Sequence, residues 1–216
     1  MITKDRKHIP PAHWDFLTSF YDVICILLGF GKRFRKKIIK HLNLKGTERI
    51  LDAGCGTGTL LVMLKNLYPS LDAVGIDPDE KAIKIAQRKI RKHNLDISLQ
   101  IGTMSNMQFD SNSFDVVMSS LVFHHIPVDE KTSSLKECLR VLKQNGRMLL
   151  ADFGPLKLKG FSKILPITKL WDIFEPIDDG RKGEIPLLMS KVGFKVNEVG
   201  QYIYGITFYE GIKEVK

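Results

Sequence analysis

Cysteine is scarce: Cys25, Cys55 and Cys138 are the only three in 216 residues. They stand too far apart for a CxxC redox pair or a zinc knuckle, and their odd number argues against a secreted disulfide framework. Long apolar runs are missing as well. Val23 to Phe30, the longest near the start, falls far short of the roughly 20 residues a membrane span needs. The opening stretch MITKDRKHIPPAHWD places no apolar segment after its charges, which argues against a signal peptide. No repeat, low-complexity segment or Pro/Gly/Ser-rich linker divides the chain. What is present, 44% hydrophobic and 26% charged residues with 17 Gly and 9 Pro, is the composition of an ordinary globular protein. Such a length buries one large core without disulfides or a structural metal. The expectation is a single reduced, cytoplasmic domain of enzyme size.

Positive charge is in excess, 33 basic against 24 acidic residues, for a net charge of +9. Much of it sits in Lys32 to Lys40 (KRFRKKIIK) and Lys81 to Lys92 (KAIKIAQRKIRK). One reading is a footprint for nucleic acid or anionic lipid. The other is a pair of solvated helix faces, because Phe34, Ile38, Ile39, Ile83, Ala86 and Ile90 interleave with the charges at near-helical spacing.

The patterning predicts helices over 13–29 and 32–42, parted at Gly29-Phe30-Gly31. Short apolar runs then alternate with helical ones. Strands are expected at 49–51, 72–76, 97–101, 114–119 and 146–152, and helices at 59–68, 79–93 and 129–142. Strands alternating with helices imply parallel pairing through crossover helices on both faces. Phe194 to Val199 and Ile203 to Ile212 are too close together for a crossover helix, which predicts an antiparallel hairpin. The expected fold is a doubly wound, mostly parallel α/β sheet of seven strands, with N-terminal helices and a C-terminal antiparallel hairpin.

The most informative segment is Ile50-Leu51-Asp52-Ala53-Gly54-Cys55-Gly56-Thr57-Gly58-Thr59. A strand ends in an acid, and three glycines turn the chain into a helix. Glycine there permits backbone angles and close ligand approach that a side chain would block. A dinucleotide fingerprint, GxGxxG, would need its third glycine at position 59, where Thr59 stands. The loop instead resembles the DxGxGxG turn of class I S-adenosylmethionine-dependent methyltransferases. Three further landmarks follow in order: Val74-Gly75-Ile76-Asp77-Pro78, Phe114-Asp115-Val116-Val117-Met118-Ser119, and Arg140-Val141-Leu142-Lys143-Gln144-Asn145-Gly146-Arg147. The last resembles the RVLKPGG turn with Gln-Asn in place of Pro-Gly. The resemblance is specific between about residues 49 and 152.

That resemblance implies a Rossmann-like fold and S-adenosyl-L-methionine as cofactor. It implies that Asp52, Gly54, Cys55, Gly56 and Gly58 form the cofactor loop, with the glycines admitting the methionine portion. It further implies that Asp77 holds the ribose, Pro78 lines the adenine side, and Thr103 and Met104 flank the adenine. Ser119 would offer its carbonyl near the ammonium group, and Tyr21 would cap the site. Thr103 stands where many relatives carry Asp. An adenine amino group would meet its hydroxyl without charge assistance, so modest cofactor affinity is expected.

Methyl transfer from a sulfonium needs alignment and a water-poor pocket more than any catalytic side chain. A base matters only where the acceptor loses a proton. His124 and His125 lie just past the fourth strand, where α/β ligands bind. His124 is the candidate acid–base residue, with a loop-capping role as the alternative. His8, His13, His41 and His93 lack metal-ligand spacing and read as surface residues, and no metal is expected.

The acceptor is expected to be small and apolar, lipid-like or quinone-like, with peripheral membrane contact among the expected interactions. Ser19-Phe20-Tyr21-Asp22 through Arg35 resembles the N-terminal region of ubiquinone/menaquinone-biosynthesis methyltransferases. Base methylation is disfavoured, since Ser119-Ser120-Leu121-Val122 offers no Asn/Asp-Pro-Pro-aromatic clamp for a flipped base. An RNA methyltransferase and a non-catalytic cofactor-binding module remain the alternatives. The expected division is a helical cap (1–45), a cofactor-binding core (46–153), a substrate lid or core-covering helical insertion (154–193) and the hairpin (194–216).

Overall fold

The computed structural model describes residues 29–155 and 182–214. Within them the chain runs α1 (Lys32–Leu42), β1 (Arg49–Ala53), α2 (Thr59–Leu67), β2 (Asp72–Asp77), α3 (Glu80–Lys92), β3 (Ile97–Ile101), β4 (Phe114–Ser120), α4 (Val128–Val141), β5 (Leu142–Phe153), α5 (Glu184–Val192), β6 (Phe194–Gln201) and β7 (Ile206–Lys213). The seven strands form one sheet in the order β3-β2-β1-β4-β5-β7-β6. The first five pair in parallel, and β7 runs antiparallel to both β5 and β6. The expected hairpin therefore forms, and its second strand is the one that joins it to the sheet.

Burial explains the strand pattern. β1, β2 and β4 are covered on both faces, so they read as near-continuous apolar runs rather than alternating ones. One core layer lies beneath α1, α2 and α3 and holds Phe34, Ile38, Leu61, Ile83 and Phe208. The other lies beneath α4 and α5 and holds Leu51, Val117, Leu135, Cys138 and Met189. α1 reaches its layer with Phe34, Ile38, Ile39 and Leu42, one apolar stripe on an otherwise basic helix. The sheet order reverses between β2 and β4, either side of β1. A crevice opens at the carboxyl ends of strands at such a switch point.

The Gln144-Asn145 departure has a backbone explanation. Asn145 adopts φ 61°, a left-handed conformation that Asn tolerates better than most residues other than Gly. The next residue stays Gly because a Cβ on Gly146 would stand 2.8 Å from the Lys143 carbonyl oxygen. This turn belongs to β5, which begins at Leu142 rather than at the expected Gly146. β7 begins at Ile206 rather than Ile203, because Ile203–Gly205 is a 3-10 turn. Within the segment expected to be a lid, Glu184–Val192 is a helix that buries Ile185 and Met189 against the sheet. The expected helix before residue 29, Tyr21, and residues 156–181 of the expected lid lie outside the described residues. Among the described residues no helix is long and apolar enough to cross a membrane.

His41 corrects the sequence reading. It is not a surface residue: its ring stacks on Phe208 with centroids 4.6 Å apart, and its buried Nε2 has no hydrogen-bond partner. Burial, then the nearby Lys37 and Lys40 charges, hold its pKa below the usual value, with Glu210 opposing them. The folded form therefore resists a proton that the unfolded chain accepts near pH 6.5, so stability falls as the pH drops below that value. Thermal melts between pH 5 and 7 should show this slope, and His41→Phe should flatten it while keeping the stack.

Candidate functional site

The glycine turn after β1 is bent back over the end of β2. The Gly54 and Cys55 N–H groups both donate to the Ile76 carbonyl, at 2.8 and 3.0 Å, and the Gly58 N–H donates to the Cys55 carbonyl. Two of the glycines are there for close packing. A Cβ on Gly54 would collide with the Val122 side chain, and one on Gly58 would stand 2.8 Å from Ala86 Cβ, in each case on a positive-φ backbone. Gly56 differs from both, since a Cβ there would meet no protein atom within 4 Å. Its bare Cα faces open space. From α3, Lys89 Nζ donates to Thr57 Oγ1 at 2.9 Å and Thr59 Oγ1 at 2.6 Å, tying that helix to the turn.

Asp77 closes β2 beside this turn. Its Oδ2 accepts the Gly56 N–H at 2.8 Å and its Oδ1 accepts the Asp79 N–H at 2.9 Å. Asp77 also lines the cleft, where a carboxylate can accept from a ligand hydroxyl. Asp52, closing β1, is buried on the same side of the sheet. Burial, reinforced by the negative Asp77 and opposed by Arg35 of α1, pushes its pKa up to about 8. Burial, and then Asp52 and Asp77, also push the Cys55 thiol well above its ordinary value, which leaves it inert as a nucleophile.

These groups line one open cleft. Asp52, Gly54, Cys55, Gly56, Asp77 and Pro78 form its polar floor. Phe30, Phe34, Ile38, Leu121 and Val122 supply apolar wall, and His125 stands among them. Leu121 holds φ 56°, an uncommon strain for a bulky side chain, where β4 breaks off. Its N–H donates to the Ala151 carbonyl at 2.9 Å.

Five expected site residues do not line the cleft: Gly58, Thr103, Met104, Ser119 and His124. The Ser119 side chain is buried without a hydrogen-bond partner, and its neighbour Ser120 takes the lining position. The Thr103 hydroxyl lies 3.3 Å from that of Ser105, and Met104 is buried in the core layer under α4 and α5. Their loop is tied to the site by the Gly102 N–H, which donates to the Asp77 carbonyl.

His124 lies behind His125, ring centroids 4.0 Å apart, with Nδ1 2.7 Å from Asp152 Oδ1. Sequence reasoning gave Asp152 no role. Burial alone would raise its pKa, but His124 and the Phe153 N–H outweigh it and hold the carboxyl below its usual range. The Phe123 N–H donates to its Oδ2 at 2.7 Å. An ionised Asp152 makes Nδ1 of His124 the donor and leaves Nε2 as its basic nitrogen. The sequence did carry a signal: Asp152 is an acid near the carboxyl end of an apolar strand, as Asp52 and Asp77 are.

Residues 50–146 match the family model described as methyltransferase domain. The chain is 29% identical to the demethylmenaquinone methyltransferase of Thermotoga maritima over 161 residues, 74% of this chain and 67% of that protein. It is 36% identical to the demethylmenaquinone methyltransferase of Lactobacillus johnsonii over 139 residues, 63% of this chain and 54% of that one. The matches thus span between about half and two thirds of these curated relatives. A crystal structure of a SAM-dependent methyltransferase from Aquifex aeolicus has the same fold, with a TM-score of 0.62 and 21% identity over 82% of this chain and 87% of that one.

Asp52 makes the site costly at neutral pH. The unfolded chain loses that proton near pH 4 and the folded protein only near pH 8, so stability is spent progressively across that window. Asp52→Asn should therefore be more stable than the parent at pH 8, by on the order of 5 kcal/mol, with the gain vanishing near pH 4. Urea unfolding at the two pH values measures the difference.

Proposed function

We propose, from the match of residues 50–146 to the methyltransferase domain and the site that those residues build, that the chain is a class I S-adenosylmethionine-dependent methyltransferase acting on an apolar, quinone-like acceptor. One observation carries the cofactor assignment: Asp77 is held by the Gly56 N–H beside a Cα that faces open cleft. That arrangement sets a backbone cradle beside a carboxylate that lines the cleft, which suits a ribose joined to an amino acid.

In this reading Gly54, Cys55, Gly56 and Gly58 carry the backbone along the methionine portion. Asp77 takes the ribose hydroxyls and Pro78 the adenine side, with Thr103 and Met104 near the ring and Ser119 contributing from β4. Tyr21, assigned as a cap, lies outside the described residues. Bound S-adenosylmethionine supplies an electrophilic methyl group on a sulfonium, which leaves as a neutral thioether. The residues of this chain do the rest. Asp52 and Asp77 give the floor a carboxyl pair suited to a cation, and a bound positive charge draws Asp52 toward its ionised form. Phe30, Phe34, Ile38, Leu121 and Val122 exclude water and offer apolar contact.

Two features support a quinone-like acceptor: the apolar wall, and relatives whose names specify demethylmenaquinone. A reduced quinone ring that gains a methyl must also lose a proton. The histidine pair takes that role. His125 stands in the cleft wall, while Asp152 holds a proton on His124 Nδ1 and keeps Nε2 basic.

Calorimetric titration with S-adenosylmethionine should saturate. Gly56→Ala should change stability by about 1 kcal/mol, since its methyl meets no protein atom, yet weaken binding roughly tenfold or more. Asp77→Asn should cost roughly 10- to 100-fold in affinity through its charged hydrogen bonds. With radiolabelled cofactor, a reduced demethylmenaquinone should acquire the label. Label appearing in RNA alone, or in no acceptor, would overturn the assignment.

A further inference from the structure

The charge is distributed by layer. Among the described residues, the helices on one face of the sheet, α1, α2 and α3, together carry thirteen lysines and arginines against the single Glu80, an excess of twelve positive charges. On the opposite face α4 and α5 carry four of each sign and are neutral. This one layer's excess is larger than the net charge of +9 carried by the whole chain. Burial divides each basic helix cleanly. Phe34, Ile38 and Ile83 turn inward to the core, while Lys32, Lys36 and Lys40 of α1 and Arg88, Arg91 and Lys92 of α3 are exposed.

We propose that this α1–α2–α3 face docks on an anionic phospholipid bilayer. Nucleic acid is the other polyanion to weigh, and the composition of the face disfavours it. Proteins that grip single strands pair basic side chains with exposed aromatics on which bases stack. The only aromatic on these three helices besides the stacked His41 is Phe34, which is buried. A broad face of point charges without stacking platforms suits a surface of phosphate headgroups, where each lysine or arginine adds about fivefold in affinity. The face also borders the cleft, because α1 supplies Phe34 and Ile38 to its wall. Docking here brings the bilayer alongside that wall. The charge argument stands whatever molecule accepts the methyl group.

The test is sedimentation of the full chain with vesicles of equal parts phosphatidylglycerol and phosphatidylcholine, against vesicles of phosphatidylcholine alone. Binding should require the anionic lipid and disappear at about 0.5 M salt, as screening predicts. The quadruple variant Lys32→Glu, Lys36→Glu, Arg91→Glu, Lys92→Glu should bind at least about a hundredfold more weakly. Its thermal midpoint and its affinity for S-adenosylmethionine serve as controls for folding and for the cleft. Equal binding to both vesicle types overturns the proposal, as does a folded variant that binds like the parent. Capture by a hairpin RNA under conditions where anionic vesicles leave the protein in solution overturns it in favour of nucleic acid.

Discussion

The hydrogen bond from the Gly56 N–H to the Asp77 carboxylate is the contact on which the rest depends. It joins the turn after β1 to the end of β2, across the neighbouring strands where the sheet order reverses. The Ile76 carbonyl draws the same turn down through Gly54 and Cys55, so backbone and side chain pull the loop to one strand end. Gly54 and Gly58 let neighbouring packing close around it, which leaves Gly56 alone facing empty space. The cradle is a by-product of that close packing rather than of any flexible element.

Three aspartates end three parallel strands, and their chemistry diverges although each is set into the same sheet. Asp52 and Asp152 are both almost completely buried. Asp52 faces a second carboxylate and is driven toward its neutral form, with a pKa of about 8. Asp152 is surrounded by His124 and backbone N–H groups and stays ionised. Burial sets the stakes in both cases, and the partners decide the sign.

Much of this was legible in the chain itself. The alternation of strands and helices, the parallel core and the terminal hairpin follow from periodicity and spacing. The glycine turn and Asp77 were readable because few arrangements need bare backbone and an acid at two neighbouring strand ends. What escaped was long-range. Asp152 gains its role by meeting His124, 28 residues earlier, and nothing local announces that meeting. His41 looked exposed among lysines because Phe208, its stacking partner, lies far along the sequence. Asn145 looked like a loss of the usual turn, yet it meets the same backbone demand as the glycine it replaces. The basic blocks were the ambiguous case: periodicity correctly gave amphipathic helices, but only the fold places both on one side of the sheet.

The order of the last two strands has a consequence for how the molecule is made. β6 leaves the ribosome before β7, yet it sits outside β7 and, among the described residues, pairs with no other strand. During synthesis β6 therefore waits without a ladder, and the exposed flank of β5 waits with it, until Ile206–Lys213 emerges and slots between them. Completion of the sheet is a late, insertional event, and a nascent chain paused before it presents two unpaired strand edges to any neighbouring chain.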